Sequence, residues 1–384
     1  MSEPPASRRY VFAGGGTAGH LFPAFAVAEF LQTRDPETEI LFIGSDRPRE
    51  RDLVAAAGYE HVALTLIPRS QLVRHPLAFA RSLWGAVKAA RGHLRVERTE
   101  VVIGLGGMSS VPTVWAARRA GLPIVLMEQN VLPGRANRWL SRWADAVCLT
   151  FEDSKGWLSP RVRTVVTGNP VRRAVAELAS RPQLDEAVDA MPPRLLVLGG
   201  SLGSNSLNAC VLDGMRSDPD RWRHWEIVHQ TGTQACDTVR AEYASLGLSA
   251  RVETFLADVP RLLSDATLVL TRAGATTLAE LACAAPATVV VPWSGAADDH
   301  QTLNARWYGD RAAVLAAGDP GAERMGGRSS PADDPWTQVL RLADDAQLRR
   351  ELQRALRCLA RPLATEAVVD VIDATAPPRA RSVP

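Results

Sequence analysis

The feature that most restricts the fold is a phrase repeated along the chain: a short apolar run, a glycine or proline, then a stretch of helical character. "RYVFAG", "EILFIG", "EVVIGLG", "PIVLM", "AVCLT" and "RTVVTG" carry it through the first half. Their apolarity is continuous rather than alternating, which marks strands covered on both faces, as in a parallel sheet wrapped by helices. After Pro170 a helical stretch and a proline-containing linker interrupt the phrase, and it resumes with "RLLVLGG", "WEIVHQTG", "RVETFL", "ATLVLTRAG" and "ATVVVPW". The expected fold is α/β, with two Rossmann-like domains facing across a cleft, because ligands of such sheets bind beyond the carboxyl ends of the strands. Expected boundaries are 1–170 and 194–360 for the domains, 171–193 for the linker and 361–384 for a final helix and tail. Residues 318–335 read as a flexible insertion, followed by one helix from Trp336 to about Ala360 and another near Ala364 to Ala374.

Composition narrows the function. With 384 residues, 46% hydrophobic and 22% charged, the chain has the balance of a globular protein with room for two cores. Against 44 basic residues stand 42 acidic ones, so the net charge of +2 gives no reason to expect a nucleic-acid partner. Cys148, Cys210, Cys236, Cys283 and Cys358 are scattered without a C-x-x-C pair, which points to a reducing compartment and packed thiols rather than disulfides or zinc. Arg8-Arg9 ahead of the uncharged run Tyr10 to Ala28 resembles an export signal only superficially, since glycines, His20 and Pro23 break its apolarity. No stretch of about 20 apolar residues occurs, so the expectation is a cytoplasmic protein with at most peripheral membrane contact.

The first strand runs into "GGGTAGH", Gly14 to His20, which fits the G-x-G-x-x-G dinucleotide fingerprint. An NAD site also needs an acid closing the second strand, but "ILFIG" ends in Gly44-Ser45 and Asp46 arrives late. What remains is a backbone cradle for an anion at a helix start. His20 lies on the first helical turn, where the dipole favours the neutral imidazole a general base requires; a histidine that only braces the loop fits the position equally. Gly199-Gly200-Ser201-Leu202-Gly203 repeats the placement, with N–H groups and a hydroxyl suited to a diphosphate. In "RAGATTLAE", Thr276 and Thr277 are expected to cap a helix and Glu280 to take two hydrogen bonds from ribose hydroxyls, although a solvated helix residue is the plainer reading of Glu280. "DDHQTLNA" hints at a metal, but no second histidine stands at ligand spacing; Gln301 and Asn304 instead suit sugar hydroxyls.

From His61 to Val96 there is no Asp or Glu, while Arg69, Arg74, Arg81, Lys88, Arg91 and Arg95 interleave with apolar residues such as Leu77, Phe79, Trp84 and Val87. Such a segment suits docking at an anionic membrane surface, or a helix that packs its apolar side on a sheet with its cations in water.

In order and spacing, "GGGTAGHLFPAFAVAEFL", "GLGGMSSVPTVWAARRAGLPIVLMEQNVLPGRANRWL", "TGNPVR", "LLVLGGSLGSNSLN", "HQTG", "RAGATTLAELA" and "DDHQTLNA" resemble the MurG-type N-acetylglucosaminyltransferases of glycosyltransferase family 28, across residues 10 to about 315. The resemblance implies a GT-B fold, UDP-GlcNAc as donor, and the undecaprenyl-diphosphate MurNAc-pentapeptide, lipid I, as acceptor. It also implies lipid II and UDP as products, inversion at the anomeric carbon without metal or other cofactor, and peripheral work at the cytoplasmic membrane face in wall growth. Carried onto matching positions, it places Thr17, Ala18, Gly19, Asn130, Arg172, Ser201, Leu256, the run Ala275, Thr276, Thr277, Leu278, Ala279 and Glu280, and Gln301 around the donor. Leu256 would meet uracil through its backbone, Glu280 the ribose, Ser201 the diphosphate and Gln301 the GlcNAc hydroxyls. His20 would be the base for the acceptor hydroxyl, with Glu128 as a second catalytic group. Ala18, Met108, Met127 and the Ala284-Ala285 turn depart from the family pattern. Two alternatives stay open: another GT-B enzyme using UDP-GlcNAc, such as a 2-epimerase or other lipid glycosyltransferase, and a non-catalytic nucleotide-sugar-binding protein. The basic segment favours a lipid acceptor over a soluble epimerase, and His20 with Glu128 favours catalysis over binding.

Overall fold

The computed structural model describes residues 8–67, 75–94, 98–181, 192–200, 203–321 and 334–376. The apolar runs are parallel strands. A first unit is built from β1 (Arg9–Gly14), α1 (Ala18–Arg34), β2 (Glu39–Ser45), α2 (Pro48–Ala56), β3 (Glu60–Leu64), α3 (Pro76–His93), β4 (Thr99–Gly106), α4 (Ser110–Ala120), β5 (Ile124–Glu128), α5 (Arg135–Leu140), β6 (Ala146–Leu149) and β7 (Arg163–Val166). Its sheet has the order β3-β2-β1-β4-β5-β6-β7. Every residue of β1 is buried. Side chains alternate along it, so Tyr10 and Phe12 enter the layer containing α1, and Val11 and Ala13 the layer containing α3 and α4. That double coverage is why the run contains no polar alternation.

The second unit contains α6 (Arg173–Ala176), β8 (Arg194–Leu198), α7 (Asn205–Ser217), β9 (Glu226–Gln230), α8 (Cys236–Ser245), β10 (Ala250–Glu253), α9 (Val259–Asp265), β11 (Leu268–Arg272), α10 (Ala275–Ala284), β12 (Ala287–Val291), α11 (His300–Gly309), β13 (Leu315–Ala316), α12 (Pro335–Asp344) and α13 (Ala346–Cys358). Its strands lie in the order β10-β9-β8-β11-β12-β13 and are likewise parallel. In both sheets the winding reverses beside the first strand, between β1 and β4 and between β8 and β11. The carboxyl edge at such a reversal is where an open α/β sheet offers a crevice, and each glycine loop sits there.

Four features differ from the sequence expectation. The short strands β3 and β13 lack a long apolar run. The helix expected from Trp336 to Ala360 is broken at Asp345, whose extended backbone ends α12 and whose carboxylate caps α13 by accepting from Leu348 N–H at 2.9 Å. Asp319, assigned to a flexible insertion, is firmly held, as described below; residues 322–333 of that insertion lie outside the described residues. Finally α14 (Ala364–Thr375) returns to the first unit, which comprises Met1–Arg172 and Leu363–Pro384, against Arg173–Pro362 for the second. Val368, Val369, Val371 and Ile372 join Phe12, Phe42 and the apolar face of α1 in one core, and Arg34 forms a two-pronged ion pair with Asp373 at 2.5 and 3.0 Å.

Candidate active site

The first glycine loop has a built-in anion. Gly14, Gly15 and Gly16 adopt φ of +98°, +146° and +77°, which turns the Gly16 N–H inward, where it donates to Glu50 Oε2 at 2.9 Å. Ser45 N–H donates to Glu50 Oε1 at 3.1 Å, the Ser45 hydroxyl bonds Oε2, and His61 Nε2 stands 3.8 Å from Oε1. Glu50 is 2% exposed. A Cβ on Gly15 would lie 2.7 Å from this carboxylate, so the glycine is needed for space as well as conformation. Burial alone pushes the carboxyl up; the His61 imidazole and the hydrogen bonds from Ser45 and Gly16 outweigh it and hold Glu50 below the usual carboxylate range. The acid in the first turn of α2 thus serves the loop itself and is sealed from solvent.

His20 sits half-buried on the first turn of α1, its Nδ1 2.8 Å from Gly15 O and 3.3 Å from Thr17 Oγ1. A carbonyl only accepts, so Nδ1 carries a proton in this bond, and in the neutral ring the lone pair falls on Nε2. Thr17 and Gly19 are exposed while Ala18 is buried. The Arg172 guanidinium lies 5.7 Å from the ring of Phe22, on the same helix.

Glu128, the last residue of β5, is buried and its carboxylate is occupied. Oε1 accepts from Asn130 N–H at 2.9 Å and Asn130 Nδ2 at 3.3 Å; Oε2 accepts from Gly134 N–H at 3.0 Å and Asn137 Nδ2 at 2.9 Å. This is the geometry of a group that shapes the 129–134 loop and sets Asn130.

In the second unit the glycine loop is supported by cation and dipole. Arg272, which ends β11, sends Nη2 to Ser204 Oγ and Ser206 Oγ, both at 2.6 Å, at the start of α7. Its Nη1 reaches Pro292 O and Asp319 Oδ1, both at 3.1 Å. Asp319 also accepts from Ser294 N–H at 3.0 Å and Gly321 N–H at 3.1 Å; these bonds and Arg272 outweigh burial and hold the carboxyl low. Beneath the loop, His229 is fully buried between Tyr243 OH (2.9 Å to Nδ1) and Asn208 Oδ1 (3.1 Å to Nε2), and burial lowers its pKa to about 3. Gly203, at φ +76°, leaves no room for a Cβ, which would fall 2.1 Å from Thr231 O.

The remaining expected donor residues of this unit lie in α10, in the first turn of α11 and, for Leu256, in the segment after β10. No side chain caps α10, whose N-cap is Gly274, and Thr276 is buried, so the expected threonine cap does not form. Glu280, at 7% exposure, is not the solvated residue of the plainer reading. Leu256 buries its side chain, so what it offers a ligand is backbone. Gln301 accepts from Trp293 N–H at 2.9 Å through Oε1, which directs its amide nitrogen elsewhere. Asn304 is fully buried and donates to Ala273 O at 3.3 Å, which props the loop before α10. Ser201 lies outside the described residues.

Sequence reasoning missed Glu50, Arg272 and Asp319. The available signal for Glu50 was an acid in the first turn of the helix after β2. For Arg272 it was a lone cation ending an apolar strand, a position that demands a partner.

On α3, Phe79, Ala86, Val87 and Ala90 pack inward, yet Leu77 is 79% and Trp84 53% exposed. Trp84 meets Trp115 edge-on, with Arg119 5.3 Å from its ring. Arg69, Arg74 and Arg95 lie outside the described residues. Among the described residues, no helix is long and apolar enough to cross a membrane.

Residues 10–149 match the glycosyltransferase family 28 N-terminal domain and 194–316 its C-terminal domain. A UDP-N-acetylglucosamine–N-acetylmuramyl-(pentapeptide) pyrophosphoryl-undecaprenol N-acetylglucosamine transferase of Nitratidesulfovibrio vulgaris is 38% identical, over 96% of this chain and 97% of its own. The like-named protein of Pelobacter propionicus is 34% identical, over 95% and 98%. The crystal structure of Acinetobacter baumannii MurG superposes with a TM-score of 0.73 at 29% identity, covering 96% of this chain and 99% of that one. A UDP-N-acetylglucosamine 2-epimerase superposes at 0.62 with 12% identity over 95% of each chain, a likeness of fold alone. Two parallel-sheet units with these matches make the chain a GT-B protein, and it belongs to glycosyltransferase family 28.

Proposed function

We propose that this protein transfers GlcNAc from UDP-GlcNAc to the MurNAc 4-hydroxyl of lipid I, giving lipid II and UDP for peptidoglycan synthesis. The observation that carries the chemistry is the His20 imidazole, whose Nδ1–H is committed to Gly15 O, which makes Nε2 the nitrogen that can accept a proton. In this reading Nε2 takes the hydroxyl proton as the acceptor oxygen bonds to the anomeric carbon. The bond to UDP breaks with its electron pair on the β-phosphate, and the sugar inverts. The leaving charge is met by the N–H groups at the starts of α7 and α10, by Ser201 and by Arg172, a preorganised substitute for a cation. Glu280 takes the ribose hydroxyls, the Leu256 backbone the uracil, and the Gln301 amide the GlcNAc hydroxyls. Thr17, Ala18, Gly19 and Asn130 complete the donor surroundings. Glu128 acts here through Asn130 and the 129–134 loop, as a positioning residue.

Exposed Leu77 and Trp84 beside Arg81, Lys88 and Arg91 support docking of the first unit on an anionic membrane at the cytoplasmic face, where lipid I is met. Roles in cell shape and division follow from that reaction.

The test is UDP release from UDP-GlcNAc with and without a lipid I analogue, in EDTA. Turnover that needs the acceptor and survives EDTA is expected; acceptor-independent turnover or collapse in EDTA overturns the mechanism. His20→Ala lowers kcat by about 10²- to 10⁴-fold, the range for a lost general base, with UDP affinity little changed.

A further inference from the structure

One peptide group joins the buried carboxylate to the imidazole. The Gly16 N–H that donates to Glu50 Oε2 at 2.9 Å and the Gly15 C=O that lies 2.8 Å from His20 Nδ1 belong to the same peptide bond. Among the described residues all peptides are trans, so this N–H and C=O point in opposite directions, one to each partner. The arrangement is built rather than incidental. Three consecutive glycines at positive φ are needed to turn the peptide this way, and the space of the missing Gly15 Cβ is taken by Glu50. Glu50 is fixed on its other side by Ser45 and His61.

We infer that Glu50 is the positioning residue for the base, acting on His20 through the Gly15–Gly16 peptide. A carboxylate on the N–H side draws the peptide's electron density toward its oxygen, because hydrogen bonds in a chain polarise one another. That oxygen then holds the Nδ1 proton more strongly, which fixes the tautomer, aims Nε2 and stabilises the imidazolium formed when the acceptor hydroxyl is deprotonated. The result resembles the carboxylate–histidine pair of a hydrolase triad with a peptide inserted between the partners. No proton passes along it: the amide hydrogen stays on nitrogen, Glu50 stays ionised, and the acceptor's proton ends on Nε2.

This inference rests on His20 being the base, and a double-mutant cycle separates the two. With the UDP-release assay and a lipid I analogue, Glu50→Gln is expected to lower kcat by about 10- to 100-fold, the usual cost of losing a supporting carboxylate, with UDP affinity unchanged. In a His20→Ala background the same change is expected to cost nothing further, because residues acting as one unit are not additive. An equal loss in both backgrounds overturns the relay while leaving the base in place. A near-normal rate for His20→Ala overturns the base and the relay with it. If Glu50→Gln does not fold, imidazole ¹⁵N shifts of the unaltered protein, with His20 identified by its loss in His20→Ala, decide the matter. The Nδ1–H tautomer is expected, and an Nε2–H tautomer overturns the arrangement.

Discussion

The two glycine loops occupy the same point of two sheets wound the same way, yet what lies beneath them is opposite in charge. Under the first is a carboxylate that accepts from the loop; under the second is a guanidinium that donates to the serines opening α7, with a neutral histidine below. A strand, glycines and a helix promise only a set of exposed amides. What those amides do is decided by charges supplied from elsewhere, Glu50 lying 34 residues beyond Gly16 and Arg272 66 residues beyond Ser206. The first loop has its anion already, in Glu50. In the second, Gly199 N–H donates to Gln230 O at 3.2 Å and Gly203 N–H to Gly200 O at 3.0 Å, while Arg272 braces the serines that follow.

The largest effect expected from breaking this contrast is on stability. Arg272→Met leaves Asp319 buried without its cation and should cost about 3–5 kcal/mol in urea unfolding, with part restored by adding Asp319→Asn. A loss no greater than that of Glu50→Gln would mean that the two supports are alike after all.

Acid should dissolve the two supports at different pH. His229 has its folded pKa lowered from 6.5 to about 3, so the unfolded chain binds the extra proton between those values. Stability from this group is complete above pH 6.5 and is lost as pH falls, by at most about 1.4 kcal/mol per pH unit. Glu50 is also lowered, from 4.5, so its contribution persists until the pH drops below that value. Amide exchange read between pH 6.5 and 4.5 should therefore show β9 and α7 loosening while β1 and α1 stay protected. The reverse order would sink the assignment.

The smallest effect concerns equivalent helix ends. α4 ends on Gly121 at φ +71°, whereas α10 ends on Ala285 at φ +55°, a left-handed conformation that an alanine adopts at a cost. Ala285→Gly should raise stability by no more than about 1 kcal/mol, seen as a higher unfolding midpoint. An unchanged or lower midpoint would mean that the buried Cβ outweighs the strain.

These features also mark where the sequence stops being legible. β1, β2, β4, β5, β8, β11 and β12 are readable because a strand buried on both faces must be apolar throughout, and both glycine loops follow from their positions after β1 and β8. β3 escapes because its sequence, "EHVAL", carries two polar residues in five. The break at Asp345 escapes because the apolar spacing continues across it. His20, Gln301 and Glu280 are visible as residue types in the segments after strands, but the complete burial of Asn304 against the loop before α10 is not. Glu50 and Arg272 could not be assigned for a simple reason. A charge in a string reads as solvated until its partner is known, and the partners are fixed by sheet order rather than by spacing.

The return of α14 has a consequence for how the protein is made. Val368, Val369, Val371 and Ile372 cover the side of the first sheet that carries Phe12, so a chain emerging from the ribosome completes β1 to β7 long before the helix that roofs them exists. Domains usually finish folding in the order of synthesis. Here the first unit waits for the second to be translated, and its Phe12–Phe42 layer stays partly open to water until α14 has been made and has docked.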